Sequence, residues 1–303
     1  MFVDMSGPGQ DMSPYGGLFN LCLALEVDES LHVEEQNEAL HMATLRVSDL
    51  LAETTRGLDP PTLEVFELAG NDPSLPGVVL ISCHHSPQHY ANSLTASGTA
   101  IYGFTRQTPP WALHPNELLD GAITSRDSWA LVNNPTLLEM YRRHGEDFNL
   151  VGCIAIRTRW SAQAEKDVTS LQCAKLAALL GAEGAVVTWD AGGNDFMEVI
   201  RTVQACENEG IVTVFMTGEE PAHTGGPPVL EPLPEARAIV SVGVGQRLPT
   251  DGMPFPPVDR VIGPETLVED TNTHEGTISA RGTVRGPRWP DHYGFTRRSA
   301  LEF

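Results

Sequence analysis

Residues 162–189 read A-Q-A-E-K-D-V-T-S-L-Q-C-A-K-L-A-A-L-L-G-A-E-G-A-V-V-T-W. The spacing predicts a helix over 162–180, stopped at Gly181, and an apolar strand over 185–189. A helix handing over to a strand through so short a turn is half of a crossover unit, so its neighbours decide the fold.

Those neighbours continue the pattern. On the amino side, 136–144 reads as a helix and 150–156 (L-V-G-C-I-A-I) as a strand. On the carboxyl side, 196–208 reads as a helix ending at Gly210, followed by strands over 211–216 and 238–242. Strand and helix alternating through short turns predict a mainly parallel sheet with crossover helices, and a Rossmann-like C-terminal half. Further upstream, 20–27 (N-L-C-L-A-L-E-V) and 63–68 read as strands. Between them 32–51 reads as a helix through Val33, Leu40, Leu45 and Leu50. Residues 77–82 (G-V-V-L-I-S) are apolar enough for a strand buried on both faces, and Ser86-Pro87 has the form of a helix start. Residues 98–130 are rich in Gly, Pro and Thr, and the tail from Asp270 reads as loops with one short strand. The expectation is an α/β protein of two α/β units, 1–131 and 132–303.

Composition narrows the function. The 303 residues are 41% hydrophobic and 19% charged, ordinary for a globular chain, with a net charge of −21. Such an acidic surface repels phosphate backbones and anionic lipid, so neither nucleic acid nor membrane is an expected partner. Met1 to Asp11 lacks the basic start and apolar stretch of a signal peptide, and no apolar run approaches the ~20 residues of a membrane helix. Cys22, Cys83, Cys153, Cys173 and Cys206 are scattered through apolar segments, which suits reduced thiols in a cytoplasmic protein.

In open α/β sheets ligands sit beyond the carboxyl ends of the strands. That rule selects four loops: 83–86, 190–195 (D-A-G-G-N-D), 217–220 (T-G-E-E) and 243–247 (G-V-G-Q-R). None matches a dinucleotide fingerprint. Asp190, Asn194, Asp195 and Glu219, with Glu220 and an aromatic such as Trp129 or Trp189, could cradle a cation, or form a solvated rim. The first loop lies in I-S-C-H-H-S-P-Q-H (81–89). Three readings stay open there. His84 and His85 could serve hydrogen bonding or substrate contact, Cys83 could be a reactive thiol beside a helix start, or Cys83, His85 and His89 could hold zinc. No CxxC or HExxH frame supports the metal, and none is expected.

Several idiosyncratic stretches also occur in one order. They are M-S-G-P-G-Q-D-M-S-P-Y (5–15), L-H-P-N-E-L-L-D-G-A-I (113–123) and N-N-P-T-L-L-E-M-Y-R-R-H-G-E-D-F-N (133–149), then L-G-A-E-G-A-V-V-T (180–188), G-I-V-T-V (210–214) and V-D-R-V-I-G (258–263). The chain resembles the precursor of the α and β subunits of component B of glycine/sarcosine/betaine reductase. The resemblance implies relatives that begin upstream of Met1, and a substrate-binding protein working beside a subunit that carries a selenocysteine or cysteine. The partner's selenol or thiol would attack the carbon bearing the amine. It also implies self-cleavage at a cysteine shortly after D-G-A-I, leaving a pyruvoyl ketone able to form a Schiff base with an amine.

Here the sequence departs from that pattern. After Ile123 come Thr124-Ser125-Arg126-Asp127-Ser128-Trp129, without a cysteine, and the next one, Cys153, lies in an apolar strand. Ser125 or Ser128 could in principle perform the acyl shift, but a pyruvoyl group is not expected. What remains is a substrate-binding subunit of a reductase-like complex acting without a Schiff base, on a small amine or a betaine-like quaternary ammonium. The alternatives are a non-catalytic scaffold or a stand-alone enzyme built on Cys83 and its histidines. His114 and Glu117 in H-P-N-E, with Asp120, match the family motif and are the first choices for residues near a substrate. A turn fixed by Pro115 and capped by Glu117 is their plain alternative. His144, at a helix end, reads as structural.

Overall fold

The computed structural model describes residues 19, 21, 23–85, 109–119, 135–158, 162–189, 195–219 and 233–244, with short strands at 247–249, 271–274, 277–280 and 283–285. In chain order the elements are α1 (Val33–Thr55), β1 (Gly77–His85), β2 (Trp111–Leu113), a 3₁₀ turn (Pro115–Leu118), α2 (Pro135–Arg143) and β3 (Asn149–Thr158). Next come α3 (Gln163–Leu179), β4 (Gly184–Trp189), α4 (Asp195–Asn208), β5 (Val212–Glu219) and β6 (Ile239–Val244). The remaining strands are β7 (Arg247–Pro249), β8 (Thr271–His274), β9 (Thr277–Ala280) and β10 (Thr283–Arg285).

Six strands form one sheet in the order β2-β3-β1-β4-β5-β6. β1 pairs in parallel with both β3 and β4, β4 with β5, and β5 with β6; only β2, at the edge, runs antiparallel to β3. Counting the parallel strands alone gives 2-1-3-4-5, one of the two common doubly wound orders and not the 3-2-1-4-5-6 of dinucleotide-binding sheets. β1, from before residue 131, is the central strand between β3 and β4, so strands from both sides of that position share a single sheet. The chain leaves β1 toward β3 and returns across it to β4, which makes the β1/β4 junction the topological switch point.

Alternation along the strands sorts side chains onto two faces. Val79, Ile81, Cys83, Ile154, Ile156, Ala185, Val187, Trp189 and Phe215 face α3 and α4, whose Cys173, Ala174, Ala177, Phe196, Val199, Ile200 and Val203 complete that core. Leu80, Leu150, Cys153 and Ala155 face the other way, against Leu137, Met140 and Tyr141 of α2 and Leu118 of the 3₁₀ turn. α3 and α4 end alike. Gly181 (φ +79°) and Gly210 (φ +84°) turn left-handed, and the following amides of Ala182 and Ile211 reach back to the carbonyls of Ala177 and Cys206 at 3.0 and 2.9 Å. These are Schellman caps, for which glycine carries no Cβ penalty. The turn after α3 also explains Gly77, where a Cβ would overlap the Gly181 carbonyl oxygen.

Several sequence expectations need correction. Residues 63–68 form no strand, nor do the described residues of 20–27; both stretches are largely exposed, because no neighbouring strand pairs with them. The described tail holds three short strands rather than one, with β8 pairing β9 and β10 pairing β7. β1 and β5 run further than expected, absorbing Cys83, His84 and His85, and Thr217 to Glu219. The expected helix start at Ser86-Pro87 lies outside the described residues. Among the described residues no helix is long and apolar enough to cross a membrane.

Candidate functional site at the carboxyl edge of the sheet

The parallel strands end together, and β1 sets the geometry of that edge. His84 is in register with Arg157 of β3, and Ser82 with Thr188 of β4. Since Leu80, Cys153, Ala155 and Val186 line the α2 face, Ser82, His84, Arg157 and Thr188 lie on that face too. All four are withdrawn from solvent, at 2%, 0%, 4% and 1% exposure. The Thr188 hydroxyl stands 3.5 Å from Ser82 Oγ, and Thr158 Oγ1 donates to the His84 carbonyl at 3.3 Å. α2 starts over the same face, its Thr136 Oγ1 lying 3.9 Å from Met216 Sδ on β5.

The opposite face differs at the same level. Cys83 is in register with Ile156 and Trp189, fully buried in the apolar core. It is therefore a strand residue, not the loop thiol the sequence suggested, because β1 keeps pairing with β3 through His85. Apolar burial is the setting of an inert thiol. Trp189, raised as a cation cradle, packs edge-on against Phe196 (centroids 5.6 Å apart) and donates Nε1–H to Thr217 Oγ1 at 3.1 Å. Charged groups appear beyond this layer, at the starts of α3 and α4. Lys166, Asp195 and Glu198 are buried, so Asp195 is not a rim acid. One turn further on the helices are joined by hydroxyls. Thr202 Oγ1 lies 3.2 Å from Ser170 Oγ, Ser170 Oγ donates to the Glu198 carbonyl at 3.2 Å, and Thr202 Oγ1 also reaches that carbonyl at 2.9 Å.

His114 and Glu117 form a turn. The Asn116 amide donates to His114 Nδ1 at 3.1 Å, and the His114 amide to Glu117 Oε2 at 2.7 Å. Tyr141 donates its hydroxyl to Asn116 Oδ1, tying the turn to α2. This reciprocal cap accounts for the H-P-N-E spacing. Cys153 is buried as expected, and burial, aided by the Glu117 charge, pushes its thiol pKa far up. His144 is structural, but through its ring nitrogen: Nδ1 accepts from the Leu150 amide at 3.0 Å, which a proton-bearing nitrogen could not do.

Asp120, Ser125, Ser128, Trp129, Asp190, Asn194 and His89 lie outside the described residues; His85 and Glu219 end β1 and β5. Among the described residues, no group of three or more His, Cys, Asp or Glu could hold a metal ion. Sequence reasoning missed Arg157, Ser82, Thr188, Lys166 and Glu198. The signal was present in L-I-S-C-H-H, I-A-I-R-T and V-V-T-W, where one alternation phase turns polar as the strand ends. A shallow apolar groove lined by Pro109, Pro110, Gln172, Lys175, Leu176 and Leu179 lies along the second half of α3, away from this edge.

The sheet is doubly wound, with buried polar and charged groups at its carboxyl edge, the place where ligands sit in folds of this kind. The family described as glycine/sarcosine/betaine reductase component B subunits matches residues 1–285, and the chain belongs to that family. Three relatives come from Peptoclostridium acidaminophilum. The betaine reductase complex component B subunit alpha is 32% identical over 290 residues, which cover 88% of this chain and 63% of the relative. The sarcosine reductase complex component B subunit alpha is 29% identical over 303 residues, 93% of this chain and 67% of the relative. The glycine reductase complex component B subunits alpha and beta are 29% identical over 304 residues, 93% and 68%. The chain thus spans about two thirds of the length of these relatives. No solved structure matches it.

Proposed function

We propose that this chain is the substrate-binding subunit of a reductase-like complex related to component B, acting on a small amine or betaine-like substrate without a pyruvoyl group. The observation that carries the reading is membership of the component B family across residues 1–285. A subunit of a betaine reductase complex among the relatives agrees with it, because a quaternary ammonium cannot form a Schiff base. The segment after Ile123 runs to Trp129 without a cysteine, the residue whose acyl shift would start self-cleavage.

In the proposed reaction this chain holds the substrate while the thiolate or selenolate of a partner subunit attacks the carbon that bears the leaving group. A carbon–sulfur or carbon–selenium bond forms as the C–N bond, or another carbon–heteroatom bond, breaks. The electron pair departs with the leaving amine. The acidic chain, at −21, suits a cationic substrate and disfavours phosphorylated ones.

The test is co-expression with the neighbouring genes, followed by intact mass and an activity screen. The expected result is a chain near 32.8 kDa with no borohydride-reducible carbonyl. It should co-purify with a cysteine- or selenocysteine-bearing subunit, and the pair should cleave a small amine or betaine. Two fragments, one bearing a carbonyl, would overturn the pyruvoyl-free reading. A chain that purifies alone and leaves amines and betaines intact beside such a subunit would overturn the subunit reading.

A further inference from the structure

We propose that Arg157, His84, Ser82 and Thr188 form a carboxylate-binding subsite on the α2 face of the sheet, at the β1/β4 switch point. The inference rests on the small-substrate reading above and assigns the subsite that would take a substrate's anionic end. Four observations converge on it. The residues come from the three central strands β3, β1 and β4 and are matched in register, His84 with Arg157 and Ser82 with Thr188. They interrupt an apolar surface, since the preceding residues of the same phase are Leu80, Ala155 and Val186. The opposite phase stays apolar through Cys83, Ile156 and Trp189. The four also sit where a doubly wound sheet opens its ligand crevice.

The chemistry of the patch is selective. Its charged group is a guanidinium, and its other members are an imidazole and two hydroxyls, so it contributes donors and no carboxylate. Arg157 keeps its charge at 4% exposure, and a buried guanidinium needs anionic or polar complements. Its fork carries five N–H donors, so one that serves a protein acceptor still has donors for both oxygens of a carboxylate. A single guanidinium matches one negative charge better than the two of a phosphate. In a chain of net charge −21, this buried cationic spot gives a zwitterionic ligand a defined orientation, carboxylate inward to Arg157 and cation outward.

Titration calorimetry of the full chain tests this, with betaine, acetate, choline and inorganic phosphate as probes. Betaine and acetate are expected to bind in competition, whereas choline, which has the cation but no carboxylate, and phosphate are not. Arg157→Gln should weaken betaine and acetate by about ten-fold or more, the loss of a charge-assisted bidentate contact, and Arg157→Lys should recover part of it. If Arg157→Gln fails to fold, Thr188→Val and the acetate–betaine competition on the unaltered chain carry the test. Betaine binding that is equal in the unaltered chain and Arg157→Gln, or not displaced by acetate, overturns the subsite and leaves the substrate reading standing. Acetate binding that depends on Arg157, with no affinity for betaine, keeps the subsite and overturns the betaine reading. No binding of either probe overturns the subsite, and phosphate binding in place of acetate overturns its chemical class.

Discussion

At the carboxyl end of β3, β1 and β4 the two faces of one sheet part company. Toward α3 and α4 the strands stay apolar through Cys83, Ile156 and Trp189, and Trp189 packs against Phe196. Toward α2 the same strands turn polar one residue out of phase, at Ser82, His84, Arg157 and Thr188. Both faces are buried, so burial alone does not distinguish a core from a site. The difference lies in what each face would lose if filled with hydrocarbon. On the first side, packing already accounts for the strand residues, and the buried charges Lys166, Asp195 and Glu198 lie on the helices above them. On the second, buried polar groups carry a desolvation cost that hydrogen-bond or charge partners, from the protein or a ligand, must offset.

The largest expected effect breaks the apolar face. Phe196 is 1% exposed and lies between Trp189 and Phe215, with ring centroids at 5.6 and 6.1 Å. Phe196→Ala should cost about 3–5 kcal/mol in urea unfolding, as large-to-small core changes do. A loss below about 1 kcal/mol would mean that this face is loosely packed, and the contrast between the two would weaken.

Next comes Cys83, which the sequence offered as a reactive thiol. Cys83→Ser should destabilise by about 1–3 kcal/mol, because it buries a hydroxyl among apolar neighbours. The buried thiols should resist a polar thiol reagent in the native chain and react on unfolding. Burial pushes Cys206 up to about 12, with help from the charges of Glu207 and Glu209, and pushes Cys173 up as well. Rapid native labelling of Cys83 would show an edge open on the α3/α4 side and reverse the comparison.

The fold was legible where periodicity is a property of single elements. The helix and strand of 162–189 were readable because each obeys its own period and the Schellman glycines Gly181 and Gly210 mark the stops. The sheet order was not readable, since the insertion of β1 between β3 and β4 is decided by pairing over long sequence separation, which no local pattern encodes. The same limit hid the site. Ser82, Arg157 and Thr188 are each unremarkable in their own strands, and only register makes them neighbours. The H-P-N-E motif was legible locally: His114 and Glu117 form the capped turn that was the plain alternative to a substrate contact, a motif that uses the same residue types at fixed spacing.

A buried acid at the other end of the sheet provides a control. Glu207 accepts from the Thr213 amide and hydroxyl at 2.6 and 2.7 Å and from Arg237 Nη2 at 2.8 Å. Burial is the largest influence and works to raise its pKa. The Thr213 hydroxyl, Arg237 and the Thr213 amide together outweigh it and hold the carboxyl below its usual 4.5. A depressed native pKa means that the unfolded chain binds the proton more readily. The stabilisation is therefore present above pH ~4.5 and lost as pH falls through the native pKa. Glu207→Gln should cost about 1–2 kcal/mol at pH 7, with the gap to the unaltered chain closing in acid and no change in acetate affinity. A gap that stays constant with pH would show that the charge of Glu207 is not what stabilises.

The smallest stability effect bears most directly on the contrast between the faces. Thr188 is 1% exposed, and its hydroxyl meets Ser82 Oγ at 3.5 Å, long for a hydrogen bond. If the polar patch serves a ligand, Thr188→Val removes a group that folding does not need. The unfolding free energy should then stay within about 1 kcal/mol of the original, while acetate affinity falls several-fold. If the hydroxyl belongs to the core, the reverse pattern should appear: stability drops by more than that margin and acetate affinity holds. The two readings predict opposite signs for the pair of measurements. One conservative substitution on the α2 face therefore decides whether its polarity serves folding or binding.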